Sequence, residues 1–281
     1  MKDFLIKSIK EFVLTDEFNK HEFSDICFEE PLVKIASAEN PLFEKYKNII
    51  GKEHLTPKEA YEKEFGENSF NKGSVISISL PISEEIIKSN RKEKAIPSLK
   101  WTLMRSYGAP YKVASYLIDL LNKKGFKGIS PGNTKWFTTY QNTDLYSNWS
   151  ERHIAYVAGL GTFSLNQGFI TEKGIANRLI SVITDLELES DERTSKNHLS
   201  NCLYFVDGKC QSCVKRCPIN AISPENGIDK LKCHEQGYGE DAMNLAISRG
   251  GIGESGSGCG LCQTGVPCER INPLLRLKSK V

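Results

Sequence analysis

Cys210-Gln211-Ser212-Cys213-Val214-Lys215-Arg216-Cys217-Pro218 decides how this chain is organised. Three thiols at this spacing, closed by a proline, form the run in which the earlier cysteines clasp one iron–sulfur cube and the one before proline crosses to a second. Cys202 supplies the missing first thiol, with seven residues between it and Cys210 instead of two, so residues 203–209 are expected to bulge as a small loop. A second segment answers the first: Cys233 alone, a long insertion, then Cys259-Gly260-Leu261-Cys262 and, further on, Pro267-Cys268. The crossover rule assigns Cys202, Cys210, Cys213 and Cys268 to one 4Fe-4S cluster and Cys217, Cys233, Cys259 and Cys262 to the other.

Soft thiolates suit iron bridged by sulfide, and backbone amides of the Gly258–Gly260 turn can donate to the sulfurs and tune potential. A zinc ribbon built on Cys210-x-x-Cys213 and Cys259-x-x-Cys262 is the redox-silent rival, but it leaves Cys202, Cys217, Cys233 and Cys268 without a role. A disulfide framework does not fit, because eight of the nine cysteines crowd at short spacing from Cys202 onward. Cys27, alone in the first half, reads as a small buried hydrophobe.

The rest of the chain is ordinary for a globular protein, with 281 residues, 39% hydrophobic and 26% charged. The 37 basic and 35 acidic residues nearly balance, so no global field draws the chain to nucleic acid or an anionic membrane. The N-terminus breaks its apolar residues with charge, no later run is long enough to span a bilayer, and a cytoplasmic location without membrane contact is expected. The polar stretch Glu189–Ser200 divides the chain into a mixed α/β cofactor- or substrate-binding domain, 1–195, and a two-cluster domain, 196–281.

In the first domain, periodicity predicts helices over 1–14, within Trp101–Leu121, and over Ser150–Ala158, the last stopped by Gly159. Strands are expected at Ser74–Leu80, central to the sheet, and at Phe126–Ile129, Phe169–Thr171 and Arg178–Leu188, while 27–71 reads as loops and short helices. Gly251-Ile252-Gly253-Glu254-Ser255-Gly256 has the letters of a dinucleotide fingerprint, yet it follows an expected helix, Asp241–Ser248, and runs into a cluster thiol; no nucleotide site is read there. His234 adjoins Cys233, and His198 sits in the polar divide.

The stretch Trp149-Ser150-Glu151-Arg152-His153-Ile154-Ala155-Tyr156-Val157-Ala158-Gly159-Leu160-Gly161-Thr162-Phe163-Ser164-Leu165, continuing to Gly174, resembles the core motif of the epoxyqueuosine reductase and reductive dehalogenase superfamily. The eight-cysteine tail resembles theirs as well. The likeness covers roughly residues 100–273 and implies an α+β fold: a nitroreductase-like first domain cradling cobalamin, then a ferredoxin-like domain whose two clusters feed it electrons. It implies a reductase served by an electron donor such as a ferredoxin or flavodoxin and acting on a small-molecule substrate; the rival is a ferredoxin-like carrier or redox-sensing partner without its own chemistry.

Read as residues, Gly159, Leu160 and Gly161 either let backbone approach a flat cofactor or cap a helix and enter a strand. Arg152 and His153 either hold an anionic cofactor edge or form a polar helix face. The superfamily's acidic proton donor aligns with Leu145, one place from Asp144, so Asp144, Tyr146 and Tyr140 are the donor candidates. Phe163-Ser164-Leu165-Asn166 also stands where the relatives carry Gly-Lys-Asn. The chain ends soon after Pro273 without the helical repeats of many queuosine enzymes, and on that ground tRNA is not favoured as a partner.

Overall fold

The computed structural model describes residues 1–141, 144–193 and 195–278. Its centre is a four-stranded antiparallel sheet in the order β1 (Leu32–Ser37), β2 (Ser74–Pro81), β8 (Asn177–Thr184), β3 (Gly128–Ile129). Every residue of β2 is buried, as its interior place demands. Its alternation sorts the two faces. Ile76, Ile78 and Leu80 join Ile180 and Val182 in a core closed by α1 (Lys2–Thr15), α4 (Glu84–Arg91), α5 (Leu99–Ser106) and α6 (Ala109–Lys123). Val75 and Ile183 face the other way, into a second core with α2 (Leu42–Ile49), α3 (Pro57–Phe65) and α7 (Glu151–Ala158). Ser77 and Ser181 pair across β2 and β8, and the Trp149 indole, just ahead of α7, donates to Ser181 Oγ at 3.0 Å. Small residues on this face let α7 pack close to the sheet.

Two short strand pairs complete the body: the β4–β5 hairpin (Thr139–Gln141, Leu145–Ser147) and the β6–β7 pair (Gly161–Phe163, Phe169–Thr171) that follows α7. The cysteine-bearing tail contributes α8 (Leu203–Asp207), α9 (Ser212–Arg216), α10 (Lys230–Tyr238), α11 (Glu240–Ser248) and a two-residue ladder, β9 (Ile222–Ser223) with β10 (Gly227–Ile228). Among the described residues no helix is long and apolar enough to cross a membrane.

The structure departs from the sequence reading in particular places. Residues 203–207 form the helix α8 where a loop bulge was expected. Residues 32–37 form β1, whose mixed composition hides its role because only one of its neighbours is a strand. Within the stretch read as loops and short helices, α3 runs from Pro57 to Phe65 behind a capping box of Thr56 and Glu59. β8 stops at Thr184, opposite the first residue of β2, and beyond it Leu188 N–H bonds the Ser74 hydroxyl instead of a ladder partner.

The tail is fastened to the sheet domain just ahead of β8. Ile175 N–H donates to Cys268 O at 2.8 Å and Ala176 N–H to Glu269 O at 3.1 Å. Gly174 makes this possible: its φ is +88°, and a side chain there would stand 2.5 Å from Glu269 O. Arg91 pairs with Glu269, and Arg270 reaches Glu29 at 2.7 Å and Glu84 at 3.0 Å. Gly174→Ala is expected to cost roughly 1 kcal/mol or more, from left-handed backbone strain alone, and to loosen residues 268–271. Chemical denaturation measures the first effect and amide exchange at Ile175 and Ala176 the second.

Candidate functional site

The eight tail thiols gather in two groups. Cys202 precedes α8, Cys210 and Cys213 flank the start of α9, and Cys268 sits on the segment held by Ile175; the four line one cavity with Ile170, Ile175 and Val266. Burial, then Cys202 and Cys210, push the Cys213 thiol up to about 11, and burial, then Cys202, Cys213 and Cys210, raise Cys268 further. Cys217 follows α9, Cys233 lies within α10, and Cys259 and Cys262 lie on the glycine-rich segment. Burial and then Cys217 raise Cys233; burial raises Cys259 to about 11 with Cys233 and Cys217 adding; and burial, Cys233 and Cys259 hold Cys262 well above its ordinary value. Cys213 also acts on Cys262, which makes the two groups neighbours. Cys202, Cys210, Cys213 and Cys268 thus come together, as do Cys217, Cys233, Cys259 and Cys262.

Such crowding is unstable for bare thiolates, since each buried charge opposes the next. A positively charged core shared among them removes that penalty. Ala221 N–H already points at Cys217 Sγ, 3.2 Å away, as donors to cluster thiolates do. No three His, Cys, Asp or Glu side chains among the described residues close on a point as they would around a single ion; a cube spreads its ligands more widely than a single zinc, with its sulfurs about 2.3 Å from the metal.

The residues that hold the second group were not legible in the sequence. Trp101 Nε1 donates to Gly258 O, and Gly260 lies flat against the same indole. Arg216 Nε donates to Leu261 O at 3.2 Å and Thr264 O at 2.9 Å, while its Nη1 reaches Glu93 O at 2.8 Å. Asn90 donates to Thr264 Oγ1 at 3.3 Å, and Asn166, from the departing Phe163–Asn166 stretch, donates to Cys262 O at 3.1 Å. Only Asn166, inside the motif, carried a sequence signal.

Arg152 and His153 sit at the start of α7 facing this assembly. Arg152 keeps exposed surface and donates to Gln167 O at 2.6 Å, while surrounding protein lowers its pKa and Tyr238 and Cys233 oppose that shift. His153 Nδ1 pairs with Ser150 Oγ at 2.8 Å, and burial, then Arg152, hold its pKa down to about 3, so it is neutral. Gly159 ends α7 with φ +86°, and the space where its side chain would be is filled by the backbone of residues 192 and 193; at Gly161 it is filled by Ile170 O. The close approach these glycines permit is to the chain itself, and Leu160 is buried against Ala155, Tyr156 and Phe169. Asp144 lies exposed on the β4–β5 hairpin, its carboxylate 2.6 Å from Lys230 Nζ of α10. Tyr146 donates to Glu53 at 3.0 Å and stacks on Tyr140. His234 stacks on Tyr238.

No family model matches the chain. A curated epoxyqueuosine reductase of Francisella cf. novicida (strain Fx1) is 32% identical over 126 residues, 44% of this chain and 33% of that protein. The match therefore spans about a third of that relative's length. A solved epoxyqueuosine reductase with an epoxyqueuosine-modified tRNA-Tyr stem loop aligns over 95% of this chain and 65% of its own, at TM-score 0.53 and 17% identity. A reductive dehalogenase whose structure suggests a mechanism for B12-dependent dehalogenation aligns over 88% of this chain and 32% of its own, at TM-score 0.56 and 20% identity. The chain has the mixed α/β fold of this superfamily and resembles it in sequence. The expectation that tRNA is not favoured is overturned, because a protein of the same fold is solved with a tRNA stem loop.

Behind His153, His54 is fully buried; its Nε2 accepts from Ser150 N–H at 3.2 Å, and burial, then Lys47, hold its pKa down to about 4. A base whose folded pKa lies below the unfolded 6.5 contributes fully above 6.5 and loses its contribution as pH falls from 6.5 to about 4. The loss is about 3 kcal/mol for His54, with His153 adding to the same slope. His54→Gln is expected to flatten the dependence of unfolding free energy on pH in that window, read by urea titration at several pH values.

Proposed function

We propose that this chain is an iron–sulfur reductase. The observation that carries the reading is the pair of abutting thiol groups, eight side chains from one tail, set against the accessible Arg152. Each group holds one 4Fe-4S cluster, residues 196–281 act as a ferredoxin-like module, and residues 1–195 act as a nitroreductase-like body that binds the electron acceptor. The location is cytoplasmic, where thiols stay reduced. Electrons come from an external one-electron protein donor.

When bound, the clusters supply one-electron transfer and cobalamin, the acceptor the family likeness suggests, supplies a reducible cobalt. Support for cobalamin comes from the B12-dependent dehalogenase of the same fold and from the exposed Arg152, which suits a phosphate or amide edge. Gly159 and Gly161 do not add to it, since the chain fills the space beside them. The chain's own residues do the positioning. The nearness of Cys213 to Cys262 puts the two thiol groups in series, with Cys233 on the Arg152 side. Trp101, Asn90 and Arg216 hold the segment bearing Cys259 and Cys262 against α4 and α5, and neutral His153 keeps a second positive charge away from Arg152. Lys230 ties α10 to the Asp144 hairpin at the same edge.

Anaerobic reconstitution is expected to give about eight iron and eight sulfide per chain, and Cys233→Ser to lose or convert one cluster, seen by electron paramagnetic resonance. Stoichiometric zinc without iron would overturn the reading. Cobalamin titration is expected to give a base-off spectrum; no spectral change at saturation favours a pure carrier. The reduced protein is then offered two probes taken from its structural neighbours, an epoxyqueuosine-modified tRNA stem loop and 3-bromo-4-hydroxybenzoic acid.

A further inference from the structure

Reduction by electrons consumes protons, and two of the three donor candidates read from the sequence are engaged: Asp144 is paired with Lys230, and the Tyr146 hydroxyl is committed to Glu53. A further acid lies deeper. Glu151 opens α7, and both of its carboxyl oxygens are shielded from solvent without a hydrogen-bond partner. From the place a side chain would occupy at Gly132, Glu151 Oε1 is 3.6 Å away, Tyr111 Cε1 3.8 Å and Ile180 Cδ1 4.0 Å. The missing side chain thus leaves a gap where carboxyl and phenol ring converge. The buried Ser130 hydroxyl on the same turn is also unpartnered, whereas Ser181 Oγ is occupied by the Trp149 indole.

The groups facing Glu151 explain its state. Among the described residues, α6 brings Tyr111 as the titratable neighbour, β8 brings Ser181 and Ile180, and the turn before β4 brings Ser130 and Gly132. No cation reaches it, so a charged carboxylate is strongly disfavoured. Burial lifts Glu151 to about 7 against the pull of the Ser181 and Trp149 donors nearby. Tyr111 is half exposed, its phenol raised by burial and then by Glu151, with Arg105 opposing and Tyr238 adding. It therefore also looks toward the bonded Arg105–Tyr238 pair, and Tyr238 in turn acts on Arg152 beside Cys233. Glu151 and Tyr111 so join the edge where the second thiol group meets the body.

We propose that Tyr111 and Glu151 form the proton relay of the reduction, Tyr111 giving the proton and Glu151 replacing it. This rests on the reductase reading above. The substrate takes two electrons, delivered singly by the external donor, and two protons. The Tyr111 O–H bond breaks as a new bond to hydrogen forms on the substrate; the Glu151 Oε–H proton passes to the phenolic oxygen through a water in the gap at Gly132; and the carboxylate regains a proton from solvent at the exposed edge of Tyr111. The second proton comes from solvent.

The test uses anaerobically reconstituted holoprotein and whichever of the two probes it reduces. Glu151→Gln keeps the shape of the neutral acid and is expected to slow reduction by about 10²-fold or more with iron content and the reduced-cluster spectrum unchanged. The wild-type rate is expected to fall as pH rises through about 7, since the acid form is needed, and Glu151→Asp to retain part of the rate with a displaced profile. Infrared spectroscopy is expected to show a protonated-carboxyl band at about neutral pH that Glu151→Gln removes. A Glu151→Gln rate within about twofold of wild type with the same pH profile, or the lack of that band, overturns the relay. A cluster-loaded wild type that reduces neither probe instead overturns the reductase reading, and the relay falls with it.

Discussion

Eight sulfur atoms that would repel one another as thiolates are held in two neighbouring groups by a tail with little core of its own. Burial and mutual proximity raise Cys213, Cys233, Cys259, Cys262 and Cys268 together, so the arrangement is unfavourable unless something positive is shared among the sulfurs or the surrounding chain enforces it. The chain enforces it from outside. The strand-end clamp at Gly174–Ala176 seats Cys268, Trp101 and Asn90 seat the Cys259 segment, and Arg216 ties α9 to both that segment and the body. Small apolar residues, Leu165, Ile170, Ile175, Ile222 and Val266, fill what remains.

This dependence explains why the sheet domain is built as it is. A fully buried β2 between β1 and β8 gives a rigid floor, and the serines on one of its faces let α7 settle close above it. The start of α7 then places three consecutive residues in different settings. Glu151 points to the sheet side without partners, Arg152 is exposed and donates to Gln167 O, and His153 turns back to Ser150 as a neutral ring. Helical rotation of about 100° per residue separates them, so adjacent residues meet different surroundings.

Ligand type and spacing constrain which thiols can meet, so the gathering of Cys202, Cys210, Cys213 and Cys268 around one cavity was legible in the sequence. The strand Ser74–Leu80 and the helix Ser150–Ala158 were legible for a similar reason: a β-branched run and a glycine stop act locally. β1 and α3 were not, since Leu32–Ser37 becomes a strand only by pairing with β2 and α3 is announced by a cap that the surrounding charge obscures. The glycines at 159 and 161 invited a ligand-contact reading, and the backbone that fills their space comes from residues 192–193 and 170, which no local pattern reveals.

By itself the sequence determined the spacing of eight soft thiols in a two-segment run, and the resemblance of residues 149–174 to a reductase superfamily. Tertiary structure alone decided which polar groups surround those thiols and which acids are free. Lys230 neutralises Asp144 and Glu53 engages Tyr146, while Glu151 is stripped of partners next to Tyr111. Ion pairing and desolvation depend on side chains that folding brings together from distant parts of the chain, so the same carboxylic acid is a bound anion at one site and a retained proton at another.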